Sequence, residues 1–127
     1  MKILDLLKDV SIDVNATCSN KDEAIDTLVS LMAKQGNLND QDVYKQGIYA
    51  REELSTTGIG EGIAIPHAQS EAVNAPGLAA MVVKDGVDYQ SLDNRPAKLF
   101  FMIAVPKTGG NEHLQILAML SQILMDT

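Results

Sequence analysis

The stretch Thr56–Ala68, TTGIGEGIAIPHA, limits this chain more than any other part of it. Glycine stands at every second position, as Gly58, Gly60 and Gly62, and the apolar run Ile63-Ala64-Ile65 follows, then Pro66 and His67. Glycine accepts positive φ and lets a second backbone or an anion come close. The apolar run reads as a buried strand too short to stand alone. Proline supplies no N–H and holds Ile65 extended, so the strand is expected to stop there. The expectation is an imidazole at a strand's edge beside a loop rich in N–H groups, a setting suited to a histidine that handles phosphate. The same pattern also fits a plain turn or bulge next to a surface histidine. Local pattern alone does not separate the two.

Charge narrows the ligands. At a net charge of −7 the chain lacks the basic surface that nucleic acid or an anionic membrane attracts. Its single cysteine, Cys18, leaves no internal disulfide and fits a reducing cytosol. No apolar run approaches the roughly 18 residues of a spanning helix, and Asp5 brings an acid too early for a signal peptide. The expectation is a soluble, cytoplasmic chain forming one domain over residues 1–127, large enough to bury its own core.

The remaining segments alternate between helical and strand patterns. Leu4, Leu6, Leu7 and Val10 suggest a short helical turn before a strand at Ser11–Val14, with Ile12 and Val14 facing inward. Asn20 three residues before Glu23 resembles a capping box. Ala24, Ile25, Leu28, Val29 and Met32 then make one helical stripe, stopped at Gly36. Asn39 or Asp40 starts a second helix with Val43, Gly47, Ala50 and Leu54 on the expected buried face. Arg51, Glu52 and Glu53 on its last turn read as solvated, although Arg51 could fold back over the glycines. Gln69–Gly77 reads as a polar loop, Leu78–Lys84 as a strand, Asp85-Gly86 as a turn and Val87–Tyr89 as a short return. Leu99–Val105 is the most apolar segment, expected at the sheet's centre. Asn111 caps an expected final helix that places His113 in its first turn. That helix is apolar nearly all round and stops abruptly at Thr127, which suggests a longer natural chain.

Several chemistries lack their motif. The glycines miss the dinucleotide fingerprint, since Ile63 stands in place of the third glycine. No GxxxxGK[ST] loop, GxSxG elbow, CxxC or HExxH occurs. His67 and His113, 46 positions apart, lack metal-ligand spacing, so neither metal nor cofactor is expected. Histidine as nucleophile remains. It needs cationic or N–H partners around a transferring phosphoryl group, and Arg51, His113 and the Gly58–Gly62 amides are the candidates.

The run Arg51–Ala68 (REELSTTGIGEGIAIPHA) resembles the active-site stretch of enzyme IIA domains of the fructose–mannitol class. These belong to the bacterial phosphoenolpyruvate-dependent sugar phosphotransferase system. Asn111-Glu112-His113-Leu114 and Leu117–Ser121 resemble the same family's second histidine segment. The resemblance implies an α/β (α+β) fold, a mixed β-sheet flanked by helices. It implies that His67 accepts a phosphoryl group from the histidine-containing phosphocarrier protein and passes it to a cysteine of a cognate IIB domain. Arg51 matches the family's active-site arginine, His113 its second histidine and Glu61 an acidic position beside the site. Fructose is the first expectation for the sugar and mannitol the second. A nitrogen-related branch of the family regulates by protein contact through the same histidine. A regulatory module that passes nothing on and a degenerate structural copy are the other readings.

Overall fold

A computed structural model describes residues 6–107 and Gln115. The expected final helix, with Asn111 and His113, and the segment before Leu6 lie outside the described residues.

Helix α1 spans Lys21–Ala33. Asn20 caps it, its side chain accepting the Glu23 N–H at 2.9 Å. Glu23 reaches back to the Ser19 N–H at 3.2 Å, a capping box displaced by one residue. The stripe Ala24, Ile25, Leu28, Val29 and Met32 is buried as expected, and Gly36 takes a φ of +78° just past the end.

Helix α2 spans Gln41–Leu54, capped by Asp40. Its buried face is not the expected one. Tyr44 and Ile48 are sealed, while Val43 is 44% and Leu54 81% exposed. Tyr44 can enter the core because its hydroxyl donates to the Ile103 carbonyl at 2.9 Å, which offsets the cost of burying it. Desolvation there holds the Tyr44 hydroxyl well above its ordinary pKa. Gly47 lies on the side facing Ala68, where a Cβ would meet the alanine methyl at an ordinary 3.5 Å.

The strands are β1 (Leu7–Asp13), β2 (Gly58–Gly60), β3 (Ile63–Ala64), β4 (His67–Ser70), β5 (Gly77–Val87) and β6 (Ala97–Pro106). They form one mixed six-stranded sheet in the order β1-β5-β6-β3-β2, with β4 also paired to β6. β5 and β6 are antiparallel, whereas β1 runs parallel to β5, and both β3 and β4 run parallel to β6. Helix α1 packs on β5, β1 and β6, and α2 on β4 and α1. The central position expected for Leu99–Val105 is that of β6. Alternation sends Phe100, Met102 and Ala104 into the main core with α1 and α2, and Ile103 and Val105 into a second cluster with Ile65 and Leu78. No helix among the described residues is long and apolar enough to cross a membrane.

Three local expectations change. The first strand starts at Leu7 rather than Ser11, and its facing is reversed: Ser11 is buried and Val14 is 62% exposed. Ser11 tolerates burial because its hydroxyl donates and accepts within a ring of Leu78, Lys8 and Gln35 groups. Asp85-Gly86 does not end a strand, since β5 continues to Val87 across a register shift in which Gly86 takes a φ of +81°. The segment after Pro66 is strand β4 rather than loop. Pro66 interrupts the pairing along β6 without shifting it, and its carbonyl still accepts the Ile103 N–H at 3.0 Å.

The glycine stretch folds as a β-hairpin. Gly60 pairs with Ile63, and the intervening Glu61 and Gly62 take φ of +58° and +78°, the signs a primed two-residue turn needs. Gly58 is there for packing: an added Cβ would lie 2.5 Å from Ser91 Oγ and 2.9 Å from the Ser91 Cα. Since backbone cannot retreat cheaply, Gly58→Ala is expected to lower stability by about 1–3 kcal/mol. Urea unfolding checks this, and an unchanged midpoint would contradict it.

Candidate functional site

His67 opens β4, and the break at Pro66 gives its ring a backbone acceptor. Nδ1 lies 2.8 Å from the carbonyl oxygen of Ile65. A carbonyl oxygen only accepts, so Nδ1 carries the ring proton and the lone pair falls on Nε2. The ring is half-buried in a cleft of about 460 Å³ between β4 and the last two turns of α2. Gly47, Ala50, Arg51, Leu54, Ala68 and Gln69 line the rest of it. Gly47, Ala50 and Leu54, from the α2 face that was expected to be buried, therefore form one wall of this cleft. Four of its lining residues are apolar or glycine, which lowers solvent screening of any charge brought there.

Among the described residues that line this cleft, Arg51 is the cation, half-buried at the end of α2. Its Nη1 donates to the Ser55 carbonyl at 3.0 Å and to Ser55 Oγ at 3.4 Å. The guanidinium is thus held by the residue that caps its own helix, where a positive charge suits the C-terminal end of the helix dipole.

The expected glycines and Glu61 are placed apart from the imidazole. Ile63 pairs with Leu99 and His67 with Ile103, so the hairpin lies four residues down β6, about 13 Å at the rise of a strand. Gly58, Gly60 and Gly62 do not line the cleft, and their surroundings are packing and turn geometry. The Gly58 N–H is given to Thr56 Oγ1 at 3.1 Å. Glu61 sits exposed at the hairpin tip, its N–H bound to Asp93 Oδ2 at 3.0 Å. That contact, with the Arg95 N–H, holds the Asp93 carboxyl below the usual carboxylate range. His113 lies outside the described residues. Cys18 is buried against Thr27, with its thiol pKa raised by desolvation, as a packing residue would be. Among the described residues, no three His, Cys, Asp or Glu side chains gather as a metal site.

An imidazole with its lone pair on Nε2, sharing a cleft with an arginine, has the chemistry of a nucleophile toward phosphorus. Similarity to known proteins points the same way. The family model for the phosphoenolpyruvate-dependent sugar phosphotransferase system, EIIA 2, matches residues 5–127. The PTS system fructose-specific EIIABC component of Bacillus subtilis (strain 168) is 49% identical over 125 residues, covering 98% of this chain and 20% of that protein. The chain spans about a fifth of that relative's length. The crystal structure of the nitrogen regulatory protein IIA-Ntr from Neisseria meningitidis superposes with a TM-score of 0.84 at 26% identity, covering 91% of this chain and 79% of that one. Enzyme IIA mannitol of Escherichia coli, solved in complex with phosphorylated enzyme IIB mannitol, gives a TM-score of 0.79 at 29% identity, covering 94% and 83%.

Proposed function

The chain belongs to the EIIA 2 family of the phosphoenolpyruvate-dependent sugar phosphotransferase system, and from that premise we propose that it is a phosphoryl carrier with His67 as its covalent acceptor. The donor is the histidine-containing phosphocarrier protein, and the recipient is a cysteine of a cognate IIB domain. The sugar served is fructose, the sugar named for the Bacillus subtilis relative, ahead of mannitol. The work is done in the cytoplasm, and the chain meets the membrane only through its transporter.

The observation that carries this reading is the 2.8 Å contact from His67 Nδ1 to the Ile65 carbonyl. Nε2 attacks phosphorus, an N–P bond forms, and the donor's N–P bond breaks with its electron pair returning to the donor imidazole. The phosphorylated ring then bears substituents on both nitrogens and is cationic. The Ile65 carbonyl stabilises that form by accepting from Nδ1–H. Onward transfer breaks the P–Nε2 bond as a thiolate sulfur forms the P–S bond. Arg51 offers charge and a planar fork to the phosphoryl oxygens. His113 is proposed, from the family resemblance, to assist transfer without carrying phosphate.

The test is incubation with phosphoenolpyruvate, enzyme I and the phosphocarrier protein. Acid-labile, base-stable label on the chain that leaves for the cysteine of an added fructose-class IIB domain is expected. A chain that takes no label overturns the reading. Label that no IIB domain removes favours a nitrogen-related regulatory module acting through phosphorylation-dependent contacts, a reading supported by the IIA-Ntr likeness.

A further inference from the structure

Glu52 follows Arg51 on the last turn of α2, yet its side chain is only 5% exposed. A carboxylate that deep persists only when paired and hydrogen-bonded. Its partners come from separate elements. Lys21, at the start of α1, places Nζ 3.0 Å from Oε1. Thr57 gives its N–H to the same oxygen at 3.1 Å and its hydroxyl proton to Oε2. Because that proton is committed, the Tyr89 hydroxyl, 3.4 Å from Thr57 Oγ1, acts as the donor to it. Lys21 Nζ also sits 4.7 Å from the centre of the Tyr89 ring.

The Glu52–Thr57 contact spans the turn that follows α2, and exposed Ser55 lies within that turn. Ser55 leaves α2 with φ −173° and ψ 154°, between the two ends of the Glu52–Thr57 contact. Ser55 is also the residue that holds the Arg51 guanidinium. If Thr57 were released, the turn carrying Ser55 could move, and the Arg51 fork would move with it.

We propose that Glu52 is a positioning residue for phosphoryl transfer: by fixing Thr57 it fixes Ser55, and through Ser55 it aims Arg51 into the His67 cleft. The proposal rests on the reading of His67 as phosphoryl acceptor. Glu52→Gln keeps the size of the side chain but loses the charge that holds Lys21 and both Thr57 protons. Single-turnover acceptance from the phosphocarrier protein is to be followed over a range of donor concentrations. The maximal rate is expected to fall about tenfold, with donor half-saturation unchanged, because ångström-scale misplacement can cost on the order of 10²-fold. In an Arg51→Ala background the same substitution should cost nothing more, since its effect passes through Arg51.

Thr57→Val, which removes the hydroxyl contacts to Glu52 and Tyr89 but keeps the N–H bond to Glu52, repeats this cycle if Glu52→Gln does not fold; a smaller loss that again vanishes without Arg51 is expected. Wild-type rates in the single variants overturn the proposal, as do equal fractional losses with and without Arg51. A wild-type chain that takes no label overturns the acceptor reading as well. A labelled wild type with either of the other results overturns the positioning role alone.

Discussion

His67→Ala is expected to lose phosphoryl acceptance altogether while keeping its fold. Among the described residues that line the cleft, the substitution removes the one group with a nucleophilic lone pair, and the neighbouring Gln69 side chain cannot form a covalent phosphoryl intermediate. The backbone pairing of β4 with β6 does not depend on the ring, and the neighbouring Ala68 is the β4 residue that faces Gly47 of α2. A stability change within about 1 kcal/mol is therefore expected for this half-buried position. Label counts after incubation with the donor system, read beside a thermal melt, check both halves. Label persisting in the variant would show that another residue is the acceptor.

Arg51→Ala is expected to slow transfer by a factor on the order of 10²–10³, the usual loss when one stabiliser of developing charge is removed from a site. The charge lies in a cleft with apolar walls from Ala50, Leu54 and Ala68, where water screens it less than on an open surface. Arg51→Lys separates charge from geometry. It keeps the cation but loses the planar fork and one or both contacts to Ser55, so its rate should lie between those of wild type and the alanine variant. Rapid-quench measurement of acceptance distinguishes the three. Equal rates in Arg51→Ala and wild type would reduce this arginine to a helix-end charge.

Where a single physical signal dominated, the sequence was legible. Helix α1 follows from its Asn20 cap and an unbroken stripe, and β6 from a run too apolar for anything but the sheet's centre. Arg51 and His67 line one cleft, but the arginine does not fold back over the glycines as its spacing suggested; its guanidinium is held by Ser55. Other elements misled because two signals competed. In α2, Val43 and Leu54 outweighed Tyr44 on hydrophobicity, but the Tyr44 hydroxyl found the Ile103 carbonyl and its ring took the core position. Leu54, left outside with Ala50, became part of a cleft wall, a use that burial rules do not anticipate. Pro66 was read as a terminus, yet a strand lacking one N–H can resume in register when its neighbour bonds the proline carbonyl. The alternating glycines suggested a phosphate loop; a primed turn and the close approach of Ser91 account for them instead. Glu52 was indistinguishable from the solvated Glu53 beside it. Only the fold brings Lys21, Thr57 and Tyr89 around its carboxylate.

The position of phosphorus on the ring tests the mechanism most directly. The chain is to be phosphorylated by its donor system, and nitrogen and phosphorus NMR at alkaline pH then assign the phosphohistidine isomer and the residue bearing it. The contact between Nδ1 and the Ile65 carbonyl predicts phosphorus on Nε2 of His67, with Nδ1 keeping its proton. Phosphorus on Nδ1, or on any residue other than His67, would contradict it.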